Sequence, residues 1–112
     1  MAVRGIRGAV TAVTNSKEAI KQATQTLLRG MVTANKIEDH QIISVFFTVT
    51  TDLNADFPAA AARAMGWTDI PLLDAQEMEG PAAMARVIRV LMHVDCELTR
   101  GEIAHVYIGA AE

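Results

Sequence analysis

The sequence predicts an α+β fold in which helices cover one face of a mixed β-sheet. Segments rich in β-branched and aromatic residues alternate with amphipathic and alanine-rich segments along the chain. The 112 residues contain no repeat and no linker-like stretch, so we expect a single domain over residues 1–112. The hydrophobic content of 51% is high for so short a chain and indicates surface that another subunit covers.

Five segments are predicted as strands. The first, "VRGIRGAVTAV" at 3–13, contains Gly5 and Gly8, which indicate a bulge or the close approach of another backbone. The segment "IISVFFTVT" at 42–50 is β-branched and aromatic throughout, which is too continuous for a strand with one wet face. The remaining strands are predicted at 69–78, 87–94 and 105–110.

One long helix and several short ones are predicted between these strands. Asn15 has the position of an N-cap, Glu18 completes a capping-box-like pair, and Asn35 is expected to end the helix. Its amphipathic stripe comprises Ile20, Ala23, Leu27, Met31 and Ala34. Pro58 opens a second helix, which Gly66 closes. Short helical turns are predicted at 38–41 and 80–86, and a turn or short helix at 98–104.

Composition and charge narrow the functional classes. No run of 18 apolar residues is present that would span a bilayer, and the N-terminus lacks the apolar core of a secretory signal. The formal charge of −3 and the absence of a Lys/Arg run argue against nucleic acid as the main partner. Cys96 is the only cysteine, which excludes an internal disulfide and fits a reducing, cytoplasmic setting. With a mean hydropathy of +0.22, the surplus apolar surface is expected at the interface of a homo-oligomer.

Strand alternation places polar groups on one face of the predicted sheet. Arg89 interrupts a strand whose other face is wholly apolar, and Arg7 and Tyr107 lie opposite apolar faces in the first and last strands. Glu77 lies near the end of another strand, and Arg63 lies on the alanine-rich helix. Arginine binds carboxylates through paired, charge-assisted hydrogen bonds. These groups therefore describe a pocket for a small ligand with more than one carboxylate.

Each of these residues also has an ordinary structural explanation. A lone arginine in a strand is more often part of a structural ion pair or an interface, and a lone tyrosine such as Tyr107 is more often a core residue. His93 and His105 lack metal-ligand spacing, so no metal site is predicted. The signatures of serine hydrolases, P-loop proteins and dinucleotide-binding proteins are absent. An enzyme with this sequence is therefore expected to work without covalent catalysis and without a cofactor.

Five motifs resemble, in order, those of the monofunctional trimeric chorismate mutases, the AroH class. They are "VRGIRGAVT" at 3–11, "TVTTDLNADFPAAAAR" at 48–63, "GWTDIPLLDAQEM" at 66–78, "RVIRVLMHV" at 86–94 and "HVYIGAA" at 105–111. Together the motifs cover nearly the whole chain, which makes the resemblance specific.

The resemblance implies both an assembly and a reaction. It implies a homotrimer of α+β subunits around a barrel-like core, with active sites in the clefts between neighbouring subunits. It also implies the [3,3]-sigmatropic rearrangement of chorismate to prephenate, the branch point toward phenylalanine and tyrosine. This step requires no nucleophile, metal, cofactor or proton transfer, in agreement with the missing signatures.

The resemblance assigns catalytic roles to three residues. Arg7 is similar to the family arginine that holds a substrate carboxylate. Arg89 is similar to the arginine that donates to the ether oxygen, where negative charge develops as the C–O bond breaks. Glu77 is similar to the carboxylate that accepts a hydrogen bond from the ring hydroxyl.

Further residues resemble those that bind the substrate. Tyr107 is similar to the tyrosine near the side-chain carboxylate, Phe57 to an apolar wall, and Arg63 to a peripheral arginine at the mouth of the site. The strand at the edge of the pocket is expected to contribute Leu72, Leu73 and Asp74.

Three features depart from the family pattern. Asp74 stands where some relatives have Cys or Ser, and a carboxylate close to Glu77 is expected either to share a proton or to point away. Ala60 replaces a lysine of some relatives. Relatives continue past the position of Glu112 with a tail that carries another arginine and folds over the site, so closure of the site is expected to differ.

Two other functions share parts of this pattern. Rid-type enamine/imine deaminases are also small trimers with an arginine in an intersubunit cleft, but they lack the Q-E-M and H-V-Y context. The second is a non-catalytic trimer that binds a small carboxylic acid, in which Arg89 would be present but not positioned for a reaction.

Overall fold

A computed structural model describes residues 1–80 and 84–111. Five strands and two α-helices follow one another in the order β1, α1, β2, α2, β3, β4, β5. Their bounds are β1 Ala2–Thr11, α1 Lys17–Asn35, β2 Ile42–Val49, α2 Pro58–Ala64, β3 Leu72–Gln76, β4 Val87–Cys96 and β5 Val106–Ile108. Single-turn 3-10 helices occupy Asp39–Gln41, Arg100–Glu102 and Gly109–Ala111. The predicted α+β class is thereby confirmed.

The five strands form one mixed sheet in the order β3-β2-β4-β1-β5. The central strand β4 pairs antiparallel with β1 and with β2, whereas the outer pairs β1–β5 and β2–β3 are parallel. Because β4 lies between β1 and β2, residues from distant parts of the chain share its two faces. Arg89 of β4 is thus brought beside the first and second strands.

Both helices pack against the same face of the sheet. The side chains of Leu27 and Met31 in α1 lie against β1 at Gly8, and Gly30 of α1 lies against Val106 of β5. On the other flank, Ala59 N of α2 donates a hydrogen bond to the side chain of Asp74 in β3. The main core fills this space, with fully buried side chains that include Ile6, Ile20, Leu27, Val45, Phe47, Ile88 and Met92. The helices therefore bury one sheet face, as predicted, and leave the second face of the chain open.

Gly8 has a packing reason that differs in part from the prediction. A Cβ built there would lie 2.6 Å from Met31 Sδ and 3.0 Å from Leu27 Cδ1. The close approach is thus made by side chains of α1, and not by another backbone. The β1–β4 register runs without interruption from Ala2 to Thr11, so the alternative of a bulge in β1 is wrong.

The N-terminus of α1 begins one residue later than predicted. Ser16 is the N-cap, and its Oγ accepts from Ala19 N at 3.1 Å. Asn15 is instead bound to the loop before α2, where its Oδ1 accepts from the backbone N atoms of Asn54 and Ala55. This long-range contact explains the error, because the sequence does not reveal that the Asn15 amide is already engaged.

The C-terminus of α1 lies at Asn35, as predicted, and Lys36 follows in the left-handed region with φ 53°. Asn35 is buried and fixed by three hydrogen bonds, since its amide donates to the carbonyls of Met31 and Ala104 and accepts from Ala104 N. Ala34, expected in the buried stripe, is exposed. Asn35, and not Ala34, is the buried residue at this end of the helix, since its side-chain amide is hydrogen-bonded there.

The remaining elements agree with the predictions apart from their ends. The turn at 38–41 and the segment at 98–104 contain the first two 3-10 helices, and the strands at 69–78 and 105–110 are shorter than predicted. The helical turn predicted at 80–86 includes residues 81–83, which lie outside the described residues. No helix in the described part of the chain is long and apolar enough to cross a membrane.

Thr24 leaves an unsatisfied polar atom in the core. Its side chain is fully buried on α1, and its Oγ1 has no hydrogen-bond partner among the described residues. Thr24→Val keeps the shape and removes the hydroxyl, so we expect the free energy of unfolding to rise by about 1 kcal/mol. Chemical denaturation measures this change.

Thr26→Val provides the matched control, because Thr26 is exposed on the same helix. Its effect is expected within about 0.5 kcal/mol of zero. Equal effects of the two substitutions would show that the Thr24 hydroxyl carries no burial penalty.

Candidate active site

A row of side chains crosses the open face of the sheet, which is the face opposite the helices. In this row Thr48 of β2 pairs with Arg89 of β4, Arg89 pairs with Ala9 of β1, and Ala9 pairs with Tyr107 of β5. Neighbouring strands lie about 4.8 Å apart, so the backbones at Arg89 and Tyr107 are about 10 Å apart. Between them stands only the methyl group of Ala9. The row therefore forms a concave floor between a guanidinium and a phenol.

A second row runs beside the first. Phe46 of β2 pairs with Leu91 of β4, and Leu91 pairs with Arg7 of β1. The two rows line a cleft of about 400 Å³, here called the arginine cleft. Its lining residues are Arg7, Gly8, Phe46, Thr48, Arg89, Val90, Leu91 and Tyr107. The arginine cleft thus combines two guanidiniums and a phenol with apolar walls.

Glu77 joins the arginine cleft from the end of β3. Its backbone N donates to Val49 O at 2.8 Å, which continues the pairing of β3 with β2. Its Oε1 accepts from Arg89 Nε at 2.7 Å and from Thr48 Oγ1 at 3.1 Å. The two bonds share one carboxylate oxygen of Glu77, and only the bond from Arg89 uses the Nε of the guanidinium. The second oxygen of Glu77 and the terminal nitrogens of Arg89 are therefore the atoms that can meet a ligand.

The Arg89–Glu77 pair is only partly buried. The side chain of Arg89 is 47% exposed and that of Glu77 is 21% exposed. Ion pairs at this level of exposure contribute about 0–1 kcal/mol to stability. Stability alone therefore gives little reason for an arginine in an apolar strand, whereas a fixed guanidinium in a cleft is suited to bind an anion.

Phe57 and Asp74 lie in a different cleft, here called the α2 cleft. It has a volume of about 440 Å³ and is formed by the loop before α2, the start of α2 and the strand β3. Phe57 is 66% exposed there, which is unusual for so apolar a side chain. Arg63 lies on the exposed side of α2, close enough for its charge to act on Asp74. The α2 cleft thus contains two of the predicted substrate-binding residues, Phe57 and Asp74, and Arg63 lies near it on α2.

Asp74 points away from Glu77, which was one of the two expected outcomes. It pairs with Phe47 of β2 on the helix-covered face, and its Oδ1 accepts from Ala59 N at 3.1 Å in the first turn of α2. The N-cap residue Phe57 has no side chain able to do this. Burial raises the pKa of Asp74, while the Ala59 N–H and the positive charge of Arg63 lower it. Asp74 therefore caps α2 from a neighbouring strand.

The raised pKa of Asp74 gives a prediction on stability. The native state holds the Asp74 proton more tightly than the unfolded chain, so this contribution to stability is largest in acid and is lost as the pH rises through the native-state pKa. Asp74→Asn keeps an acceptor for Ala59 N and removes the charge. We expect the stability of the variant, relative to the unchanged protein, to be higher at neutral pH than in acid, as measured by urea unfolding.

The control for this prediction is Asp69→Asn, which removes an exposed carboxylate from the same chain. Its stability relative to the unchanged protein is expected to vary less with pH. A pH dependence for Asp74→Asn no larger than that of the control would show that burial of Asp74 has no energetic consequence.

Within one chain the predicted residues therefore form two groups. The arginine cleft has Arg7, Glu77, Arg89 and Tyr107 in or beside it. The α2 cleft contains Phe57 and Asp74, and Arg63 lies on the same helix, near Asp74. The last two predicted residues lie on opposite faces of β3: Leu72 packs against the core, and Leu73 is exposed beside Phe46 on the open face.

Among the lining residues that the sequence-based prediction did not assign to the site are Phe46 and Thr48 of β2. Thr48 donates to Glu77, and Phe46 forms part of the wall. Both lie on the open face of β2, two residues apart. Their alternation with the buried residues Val45 and Phe47 was the available signal, but β2 was predicted to be buried on both faces.

Comparisons with known proteins agree on one family. The family model described as chorismate mutase type I matches residues 3–112. A chorismate mutase AroH of Thermus thermophilus is 46% identical over 110 residues, which cover 97% of this chain and 90% of that protein. A chorismate mutase AroH of Bacillus subtilis is 36% identical over 109 residues, with 96% and 86% covered.

A solved structure gives the same answer. The chorismate mutase from Clostridium thermocellum superimposes with a TM-score of 0.94 at 44% identity and covers 96% of both chains. The protein therefore has the small α+β fold of a chorismate mutase. The chain belongs to the type I chorismate mutase family, which confirms the resemblance to the AroH class.

Proposed function

We propose that this chain catalyses the rearrangement of chorismate to prephenate, with Arg89 as the principal catalytic residue. The observation that carries the assignment of Arg89 is its geometry. Its guanidinium is held by Glu77 at 2.7 Å in a cleft that also contains Arg7 and Tyr107. The activity itself is supported by membership of the chorismate mutase family.

In this reaction the ether C–O bond breaks while a new C–C bond forms. Negative charge develops on the ether oxygen, so a fixed cation beside it stabilises the transition state more than the ground state. The hydrogen bond to Glu77 engages Arg89 Nε and leaves the terminal N–H groups for the ether oxygen. The guanidinium is oriented before the substrate arrives, which spares reorganisation during the reaction.

The other groups of the arginine cleft hold the substrate in its reactive, folded conformer. The free oxygen of Glu77 accepts a hydrogen bond from the ring hydroxyl. Arg7 and Tyr107 bind carboxylate oxygens of the substrate. Holding the two reacting carbons together removes much of the entropic part of the barrier. Neither nucleophile nor cofactor takes part in this mechanism.

The proposed assembly is a homotrimer whose open sheet faces pack around a barrel-like core. The open face supports this, because it carries several large apolar side chains that are 39% to 58% exposed in the single chain: Val3, Phe46, Leu73, Leu91 and Tyr107. Apolar surface of this kind is typical of an interface. A light-scattering mass near three times the 12.1 kDa of one chain is the expected result, and a mass near that of one chain would contradict the trimer.

In such a trimer the two clefts are proposed to meet. The arginine cleft of one subunit faces the α2 cleft of the next, so that Phe57 supplies an apolar wall and Arg63 a cation at the mouth. The high exposure of Phe57 supports this role. Leu73 and Asp74 then lie at the edge of the composite site, with Asp74 acting through the cap of α2.

The test of the activity is direct. Purified protein is mixed with chorismate, and the loss of its ultraviolet absorbance is followed against a protein-free control. Acceleration that scales with protein concentration is the expected result. No acceleration at any protein concentration would refute the mutase function, and hydrolysis of an imino acid to a keto acid in its place would favour a deaminase.

A further inference from the structure

His105 makes a hydrogen bond to the backbone of a proposed catalytic residue. Its Nδ1 accepts from the backbone N of Arg7 at 2.9 Å, across 98 positions of sequence. His105 immediately precedes β5, whose pairing with β1 begins at the Gly8–Val106 pair. The imidazole therefore satisfies a backbone N–H of β1 at the point where the parallel ladder has not yet begun.

This hydrogen bond fixes which ring nitrogen of the neutral His105 side chain carries the proton. A ring nitrogen that accepts from an N–H group carries no proton of its own, so the single proton of the neutral ring is on Nε2. Addition of a second proton would place Nδ1–H against Arg7 N–H, two donors facing each other. The contact therefore exists only while His105 is neutral.

We propose that His105 is a positioning residue for Arg7, and that its neutral Nδ1 sets where the Arg7 guanidinium stands in the arginine cleft. The side chain of Arg7 extends from the backbone that His105 anchors, beside the row that holds Arg89. A displacement of the Arg7 backbone moves its guanidinium as well. Loss of the hydrogen bond to His105 is therefore expected to weaken substrate binding by Arg7, which depends on an accurately placed guanidinium. This inference rests on the proposed function, since it assumes that Arg7 binds the substrate.

Two arginines line the cavity beside His105. His105 borders a second cavity, lined by Val3, Arg4, Gly5, Arg100 and Ile103. The charged residues that line this cavity are Arg4 on β1 and Arg100 on the 3-10 helix, and no carboxylate lines it among the described residues.

Three substitutions separate the hydrogen bond from the other properties of His105. In His105→Asn the side-chain oxygen takes the place of Nδ1 and can accept from Arg7 N. In His105→Gln the polar group stands nearer the position of Nε2, and in His105→Ala no acceptor remains. We expect His105→Asn to retain most of the kcat/KM for chorismate, and the other two to lose about tenfold, the equivalent of one hydrogen bond.

A further readout distinguishes positioning from general support of the fold. Amide hydrogen exchange at Arg7 is expected to be slow in the unchanged protein and in His105→Asn, and faster in His105→Gln.

The outcomes separate this inference from the proposed function on which it rests. Arg7→Ala serves as the reference, and a strong loss of kcat/KM in that variant supports the role of Arg7. If Arg7→Ala is inactive while His105→Gln and His105→Ala match the unchanged protein in activity and Arg7 exchange, the positioning role is wrong. If Arg7→Ala itself retains full activity, the proposed role of Arg7 fails. Equal losses in His105→Asn and His105→Ala, with equal Arg7 exchange, would also overturn the inference.

Discussion

Replacing Arg89 by alanine is expected to lower kcat for chorismate by about 100- to 1000-fold, the magnitude typical of removing one preorganised donor. In the proposed mechanism the guanidinium stabilises negative charge that develops on the ether oxygen only in the transition state. Glu77 holds the guanidinium in place before substrate binds, and Thr48 in turn donates to Glu77. Steady-state kinetics at saturating chorismate measure the effect.

Two comparisons make the Arg89 prediction specific. Arg89→Lys retains a positive charge but not the planar fork, so it is expected to recover only part of the activity. Arg29→Ala removes an exposed arginine from α1 and is expected to leave the rate unchanged. Arg89→Ala is expected to lower the free energy of unfolding by about 1 kcal/mol or less, as for other exposed ion pairs, which denaturant unfolding measures. Largely intact turnover in folded Arg89→Ala would contradict the assigned role.

Mixing two inactive variants is expected to restore activity. One variant, Arg89→Ala, is defective in the arginine cleft, and the other, Phe57→Ala with Arg63→Ala, is defective in the α2 cleft. If each site joins the arginine cleft of one subunit to the α2 cleft of the next, mixed trimers contain some sites with two intact halves. Random assembly at a 1:1 ratio leaves about one quarter of the sites intact, by the combinatorics of a closed ring. Unfolding and refolding the two together, followed by the chorismate assay, tests this.

The matched control places all three substitutions in one chain and mixes it with the unchanged protein. The sites with two intact halves are then again about one quarter of the total, all between neighbouring unchanged subunits. Refolding each inactive variant alone should restore no activity toward chorismate. If the mixture of the two inactive variants also stays inactive while the control mixture is active, the two clefts do not share a site across a subunit boundary.

The sequence was sufficient to predict which face of each strand carries the polar groups. Side chains alternate strictly along a strand, so the apolar residues around Arg89 in β4 identify the buried face without knowledge of any neighbour. The same rule placed Arg7 and Tyr107 on the open face. The helix C-terminus at Asn35 was also predictable, because capping depends on a few adjacent residues.

Errors arose where a side chain is engaged by a distant part of the chain. Asn15 is bound to the loop at 54–55 and is not a helix cap, and Asp74 is a cap for a helix that precedes it in sequence. Thr48 was missed because the continuous apolar character of β2 suggested two buried faces. None of these contacts leaves a local pattern, since each partner lies at least 15 positions away.

The sequence by itself determined the fold class, the polar face of the sheet and, through its motifs, the family of this protein. Those properties depend on alternation, periodicity and local capping, which are fixed by backbone geometry along a single segment. Only the tertiary structure decided that Glu77 meets Arg89, that Asp74 turns to α2, and that His105 binds the backbone of Arg7. These pairings depend on strand order and register across the sheet, and both are set by packing between segments far apart in the chain.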